Sequence, residues 1–304
     1  RRLLIGPWDH GQCYAGGIGT CGPYETGVDS VLDLGALRLA FFDQHLKGQG
    51  PGLDAGLGLA GDARVKVFIT GSNEWHGFDS FPPAAVRKRD FFLASQGRAN
   101  SVRGDGRLLD SPPDTAQAPD HFVDDPSLPF VAALSAAREG NVTFDLRERE
   151  RHHETLVYDS GPLPAPMTLL GEGEVVLHVA VDAADADVAV WLAEHRVDGS
   201  TVKLATGQLR LRYHAGFDAE RLLTPGVPVK VGIPLTYVGH RLPAGSRLRL
   251  LIGGSNFPWA DPNPHTGEPI ASAVQMRSAV QTLFHDAERP SMLRLPVLAQ
   301  ETSA

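Results

Sequence analysis

The sequence has 304 residues, 42% of them hydrophobic and 21% charged, which is enough apolar material for one large core or two ordinary ones and excludes a disordered chain. A formal net charge of -8 excludes nucleic acid as the main partner, because a phosphate-binding surface carries a basic stripe. No apolar run approaches the roughly 18 residues of a membrane span and the opening residues lack a long apolar leader, so no membrane partner is expected; the compartment stays open, with the cytoplasm as default.

The chain opens RRLLIGPWDHGQCYAGG. Residues Arg1 to Gly6 read as a short, continuously apolar strand of the kind buried in a parallel sheet, and His10 stands directly past its end. Cys13 and Cys21 bracket a Gly-rich loop. Two cysteines do not make a disulfide scaffold, and His10, Cys13 and Cys21 lack the paired C-x-x-C and the fourth ligand of a zinc site, so neither a metal nor a cofactor is expected. From Asp29-Ser30, which can cap a helix, SVLDLGALRLAFFDQHLKGQG places Leu34, Leu37 and Phe41 on one side with Leu39, Phe42 and Leu46 close by, and Gly48 offers a stop. Strand, loop and helix in that order are a piece of an α/β fold.

Beyond Gly48 the connector GQGPGLDAGLGLAGDA gives way to period-two alternation. RVKVFIT, QLRLRYH and RLRLLIG read as half-buried antiparallel strands, and EVVLHVAVD, DVAVWLAEH, PVKVGIPL and MLRLPVL add more at the spacing of a β-sandwich of jelly-roll type. The stretch from about Gln96 to Pro129 reads as irregular chain over a surface, and RERERHHE as an exposed connector. The expected division is 1–50 as the end of an α/β-hydrolase domain, 51–63 as linker and 64–304 as the jelly roll.

A histidine after a parallel strand, followed by a helix, has a specific meaning in α/β-hydrolases. There the general base lies at the C-terminal end of a late strand, and chain order runs Ser, then acid, then His. A chain beginning at that strand holds the base and lacks the nucleophile. No G-x-S-x-G occurs; the nearest approach, Gly253-Gly254-Ser255-Asn256-Phe257, ends in Phe. Taken alone, His10 is weak evidence for catalysis.

LLIGPWDHG resembles the G-P-W-x-H segment that carries the triad histidine in the cocaine esterase and X-Pro dipeptidyl-peptidase (CocE/NonD) family of serine hydrolases. ALRLAFFDQHLKG resembles the helix closing that family's hydrolase domain, and ARVKVFITGSNEWHGFDSFPP its entry into the jelly roll. ETLVYDSGPLPAPMTLLGEGEVVLHVAVDAADADVAVWLAEHRVDGS and LPAGSRLRLLIGGSNFPWADPNPHTG resemble later family segments in the same order. One departure is Asp185-Ala186-Asp187-Val188, which lacks the Thr and Phe usual there.

The resemblance implies that His10 is the triad base, taking the serine proton on attack and returning it to the leaving group. It implies that the nucleophile, the orienting acid and the oxyanion donors belong to an N-terminal hydrolase portion preceding these residues. The implied substrates are acyl esters, β-lactam side-chain amides or X-Pro dipeptides, and the chain alone is expected to be inactive. A homo-oligomer is compatible with this reading. Asp182, Asp185 and Asp187 read more simply as a solvated loop than as a calcium site, and Trp75, Phe78, Phe81 and Trp259 as plugs of sheet ends or an interdomain seam. The competing reading is a non-catalytic β-sandwich for carbohydrate binding or subunit contact.

Overall fold

The computed structural model describes residues 2–49, 63–131 and 145–299. The Gly-rich connector expected at 51–63 lies, but for Ala63, outside the described residues. The strands are β1 (Leu3–Ile5), β2 (Thr20–Cys21), β3 (Tyr24–Glu25), β4 (Val65–Ile69), β5 (Glu74–Phe78), β6 (Val86–Ala94), β7 (Arg107–Leu109), β8 (Asp120–Asp124) and β9 (Leu156–Asp159). They continue as β10 (Met167–Gly171), β11 (Glu174–Val181), β12 (Asp187–His195), β13 (Thr201–Arg210), β14 (Val229–Pro234), β15 (Val238–Leu242), β16 (Arg247–Gly253), β17 (Ala279–Phe284) and β18 (Met292–Leu298). Two α-helices, α1 (Gln12–Ala15) and α2 (Leu34–Lys47), lie near the start. Among the described residues no helix is long and apolar enough to cross a membrane.

The chain is mainly β. Its large sheet runs β13-β12-β16-β9-β7-β6-β18-β11-β17-β8, with β10, β14 and β15 attached beside it. The ladder folds over on itself: Val188, Val190 and Leu192 of β12 share one buried core with Val175, Leu177 and Val179 of β11, although those strands are not paired. Period two explains which residues meet there. The even residues of β12 face that core, while Ala189, Trp191 and Ala193 face the other way and join Leu146 and Leu251 in a second cluster.

That second cluster corrects the reading of RERERHHE. The run lies on the outer face of β12 and β16, with Arg149, Glu150 and Glu154 buried. The Arg149 guanidinium stacks 3.9 Å over the Trp191 ring and 4.3 Å over Phe130, and Glu150 pairs with the buried Arg249. Charge is stable inside here because each guanidinium meets a ring face or a carboxylate. The stretch Gln96–Pro129 also differs from expectation. It holds β7 and β8, and Asp120 is fully buried because four donors converge on its carboxylate.

Strand β4 forms as expected, but its hydrogen bonds join it to β1 in parallel and to β5 antiparallel, giving a small three-stranded sheet separate from the large one. Both faces of β4 are buried rather than one. Val65, Val67 and Ile69 cluster with Leu170 of β10, with Ile5, Phe78 and Phe81 packed alongside. The helix start also moves. Asp33 caps α2, accepting from Ala36 N at 2.9 Å, while Val28–Ser30 forms a separate 3-10 turn. Gly48 ends the helix at φ 64, as the left-handed stop requires. Of α2 only Leu34 is buried; Leu39, Phe41, Phe42 and Leu46 are exposed.

Candidate functional site

His10 lies in the turn between β1 and α1, exposed to solvent. What fixes its position is Trp8. The indole folds back against β1, where a Cβ on Gly6 or Gly17 would stand 2.5 Å from its ring, so both positions must be bare for it to fit. Its Nε1 donates to Ser30 O at 2.9 Å, and Trp75, 6.1 Å away between ring centroids, donates to Asp29 O at 2.7 Å. Two indoles from two strands therefore clamp the far end of the loop that begins at His10. Asp9 Oδ1 accepts from Gln12 N at 2.8 Å and holds the first turn of α1.

Among the described residues the His10 imidazole meets the edge of Tyr14 at 6.0 Å, with no serine hydroxyl or carboxylate in hydrogen-bond contact. Both cysteines are free thiols. Cys13 Sγ donates to His10 O at 3.0 Å, and burial, aided by Asp9, pushes the Cys21 thiol up and keeps it protonated.

Behind the His10 loop a cavity of about 240 Å³ opens between the small sheet and the sandwich, lined by Pro7, Trp8, Cys21, Phe81, Lys203 and Tyr237 among others. Burial lowers Lys203 to about 8. A second cavity of about 410 Å³ adjoins it, sharing Tyr24 and His240. There Glu194 accepts from Ser246 Oγ at 2.8 Å and Arg196 Nε at 2.9 Å, while His240 Nε2 stands 3.5 Å off, an ion-pair distance and not a hydrogen bond. Burial alone would raise Glu194, but these partners win and hold it at about 2. Thr70, at the end of β4, reaches the same cluster through His240 Nδ1 at 2.8 Å, so charged groups of the sandwich grip the small sheet.

A Ser-His-Asp set does exist in the sandwich, unseen in the sequence. Ser95 Oγ, Tyr158 OH and His285 Nε2 all meet Asp120 Oδ2, at 2.7, 2.6 and 2.9 Å, and Ala99 N donates to Oδ1 at 2.8 Å. It is not a catalytic triad. In a triad the acid holds Nδ1 and the serine faces Nε2, whereas here Ser95 and Asp120 share Nε2 and Nδ1 faces Gln117. Ser95, Asp120, Tyr158 and His285 are all buried, with no cavity against them among those described above. Burial opposes ionisation of Asp120, but the donors from His285, Tyr158, Ala99 and Ser95 outweigh it and lower its pKa. Its members lie 25 to 190 residues apart in the chain, a separation that no local motif can register.

The other sequence candidates find structural work. Asp185 and Asp187 are buried, not solvated. Arg212 Nε and Asn263 meet Asp185 at 2.8 and 2.9 Å, and Arg210 and Asn263 meet Asp187, which leaves no oxygens for calcium. Ser255 is buried and its Oγ accepts from Phe257 N. Phe81 packs against the cluster that joins the small sheet to Leu170 of the sandwich, Trp75 packs against Phe68 and Trp8, and Trp259 is exposed.

Comparison with known proteins follows the same lines. Cocaine esterase of Rhodococcus sp. (strain MB1 Bresler) is 28% identical across 98% of this chain and 51% of its own length. A solved aminopeptidase from a marine sediment Thaumarchaeota archaeon is 26% identical, with a TM-score of 0.82 over 98% of this chain and 49% of its own. An α-amino acid ester hydrolase, 23% identical, shares the fold with a TM-score of 0.79 over 98% of this chain and 50% of its own. The chain thus spans about half the length of the relatives it matches. Residues 58–294 match the X-Pro dipeptidyl-peptidase C-terminal non-catalytic domain, and the chain belongs to that family of hydrolase domains.

Proposed function

We propose that these residues form the C-terminal part of a serine hydrolase that cleaves ester or amide bonds through an acyl-enzyme, with His10 as the base. The observation that carries this reading is the placement of His10: exposed at the C-terminal end of a parallel strand, on a loop locked by Trp8 between Gly6 and Gly17. An imidazole so placed takes the proton of a serine approaching from a neighbouring strand and hands it to the leaving group.

Two further features support the reading. Strand β1 is an edge of the small sheet, paired on one side with β4. The exposed Leu39, Phe42 and Leu46 of α2 and Leu3 of β1 make an apolar surface suited to an N-terminal hydrolase portion. In this division of labour the sandwich contributes support, holding the small sheet through Thr70 and His240 while the Trp8–Trp75 pair holds the His10 loop to that sheet. Acyl esters, β-lactam side-chain amides and X-Pro dipeptides are the substrate classes proposed.

The test is hydrolysis of an activated ester by a polypeptide joining an N-terminal hydrolase portion to these residues. His10→Ala lowers kcat by about 10⁴-fold with an unchanged circular dichroism spectrum, because losing the base disables the nucleophile. A loss under tenfold removes His10 from the mechanism.

A further inference from the structure

In the segment before β9, His152, His153 and Glu154 each present a ligand atom, all within 4.8 Å of one another. Glu154 is 3% exposed. Among the described residues its carboxylate stands 3.5 Å from His152 Nδ1 and accepts one long backbone hydrogen bond, from Asp125 N at 3.5 Å. His152 Nδ1 is buried and has no hydrogen-bond partner. A buried carboxylate is normally neutralised by a cation or bound to a metal, and here no guanidinium or ammonium among the described residues comes within ion-pair distance.

We propose that His152, His153 and Glu154 form a binding site for one divalent transition-metal ion, zinc by donor type, with its fourth position open to water. Two imidazoles and one carboxylate are a donor set that zinc accepts. Ligand atoms about 2.1 Å from a tetrahedral centre lie about 3.4 Å apart, close to the 3.5 Å between His152 Nδ1 and Glu154 Oε2. The two imidazole rings lie side by side, 4.5 Å between centroids and tilted 36°, and His153 is exposed and so able to turn its nitrogen inward.

The surroundings favour a cation on balance. Asp124 lies near Glu154, and a dication between them and the imidazoles offsets the repulsion of the two carboxylates. Arg149 opposes the cation, but its guanidinium is spread over Phe130 and Trp191. Asp124 is itself engaged by His265 Nε2 at 3.1 Å and remains a second neighbour, not a ligand. The site is independent of the hydrolase reading and of His10, Cys13 and Cys21.

The experiment is titration of the tag-free protein with zinc chloride, followed by calorimetry and, with cobalt(II), by visible absorption. The expected result is one ion per chain at micromolar affinity, with His153→Ala and Glu154→Gln each weakening binding at least tenfold and Cys13→Ser with Cys21→Ser leaving it unchanged. His153→Ala alters an exposed side chain and keeps the fold, so its loss of binding cannot be unfolding. Absence of saturable binding overturns the proposal, as does binding that survives His153→Ala or disappears with the cysteines.

Discussion

Replacing Asp120 by Ala removes the acceptor of four donors at once: Tyr158 OH, Ser95 Oγ, His285 Nε2 and Ala99 N. Ser95 Oγ and His285 Nε2 still meet each other at 3.1 Å, but Tyr158 OH and Ala99 N lose their acceptors in a fully buried site. A buried donor left without an acceptor costs about 1–3 kcal/mol, so two such losses come to about 2–6 kcal/mol. At about 2–4 °C per kcal/mol for a domain of this size, the midpoint of thermal unfolding falls by about 4–24 °C. Asp120→Asn keeps one carbonyl acceptor and loses about half as much. The assay is thermal unfolding followed by circular dichroism, with Ser95→Ala measured alongside at a loss near 1 kcal/mol. A loss below 1 kcal/mol for Asp120→Ala would show that the network is not what ties β8 to β6 and β9.

Gly17→Ala places a methyl group 2.5 Å from Trp8 Nε1 at φ 93, adding a clash to backbone strain, whereas Gly199→Ala at φ 84 meets nothing within 4 Å. The first is expected to cost about 2–4 kcal/mol and shift tryptophan emission, the second about 1 kcal/mol with no shift; equal effects would deny the Trp8 wedge. Glu194 has a folded pKa of about 2 against an ordinary 4.5, so it contributes stability that is present above about 4.5 and lost as pH falls toward 2. That displacement corresponds to about 3 kcal/mol, reduced to about 2 by solvent in the adjoining cavity. Denaturant unfolding at pH 5 and pH 2 should show wild type losing about 2 kcal/mol more than Glu194→Gln, and equal losses would contradict the assignment.

The strands of the sandwich were legible because one face of each is apolar at period two, as in RLRLLIG, where Leu248, Leu250 and Ile252 point into the core. Alternation does not report what covers the other face. Arg149 and Glu150 read as solvated because a charge run looks the same whether water or Trp191 and Arg249 surrounds it. The placement of β4 beside β1 escaped for a related reason: RVKVFIT alternates like a sandwich strand, and alternation shows neither the parallel partner about 60 residues away nor the Leu170 and Trp75 side chains that cover its two faces. His10 stood out through its neighbours, since Gly6, Pro7 and Trp8 are residues whose bareness and bulk interlock. The Asp120 network could not stand out, being assembled from four distant strands and loops.

The most direct measurement is labelling with a fluorophosphonate, which marks an activated serine, read by intact mass and peptide mapping. The 304-residue chain is expected to stay unlabelled, and the joined polypeptide to gain one label on a serine outside these residues, lost in His10→Ala. A label on Ser95, Ser255 or any other serine within residues 1–304, or a joined polypeptide whose label survives His10→Ala, would contradict this expectation.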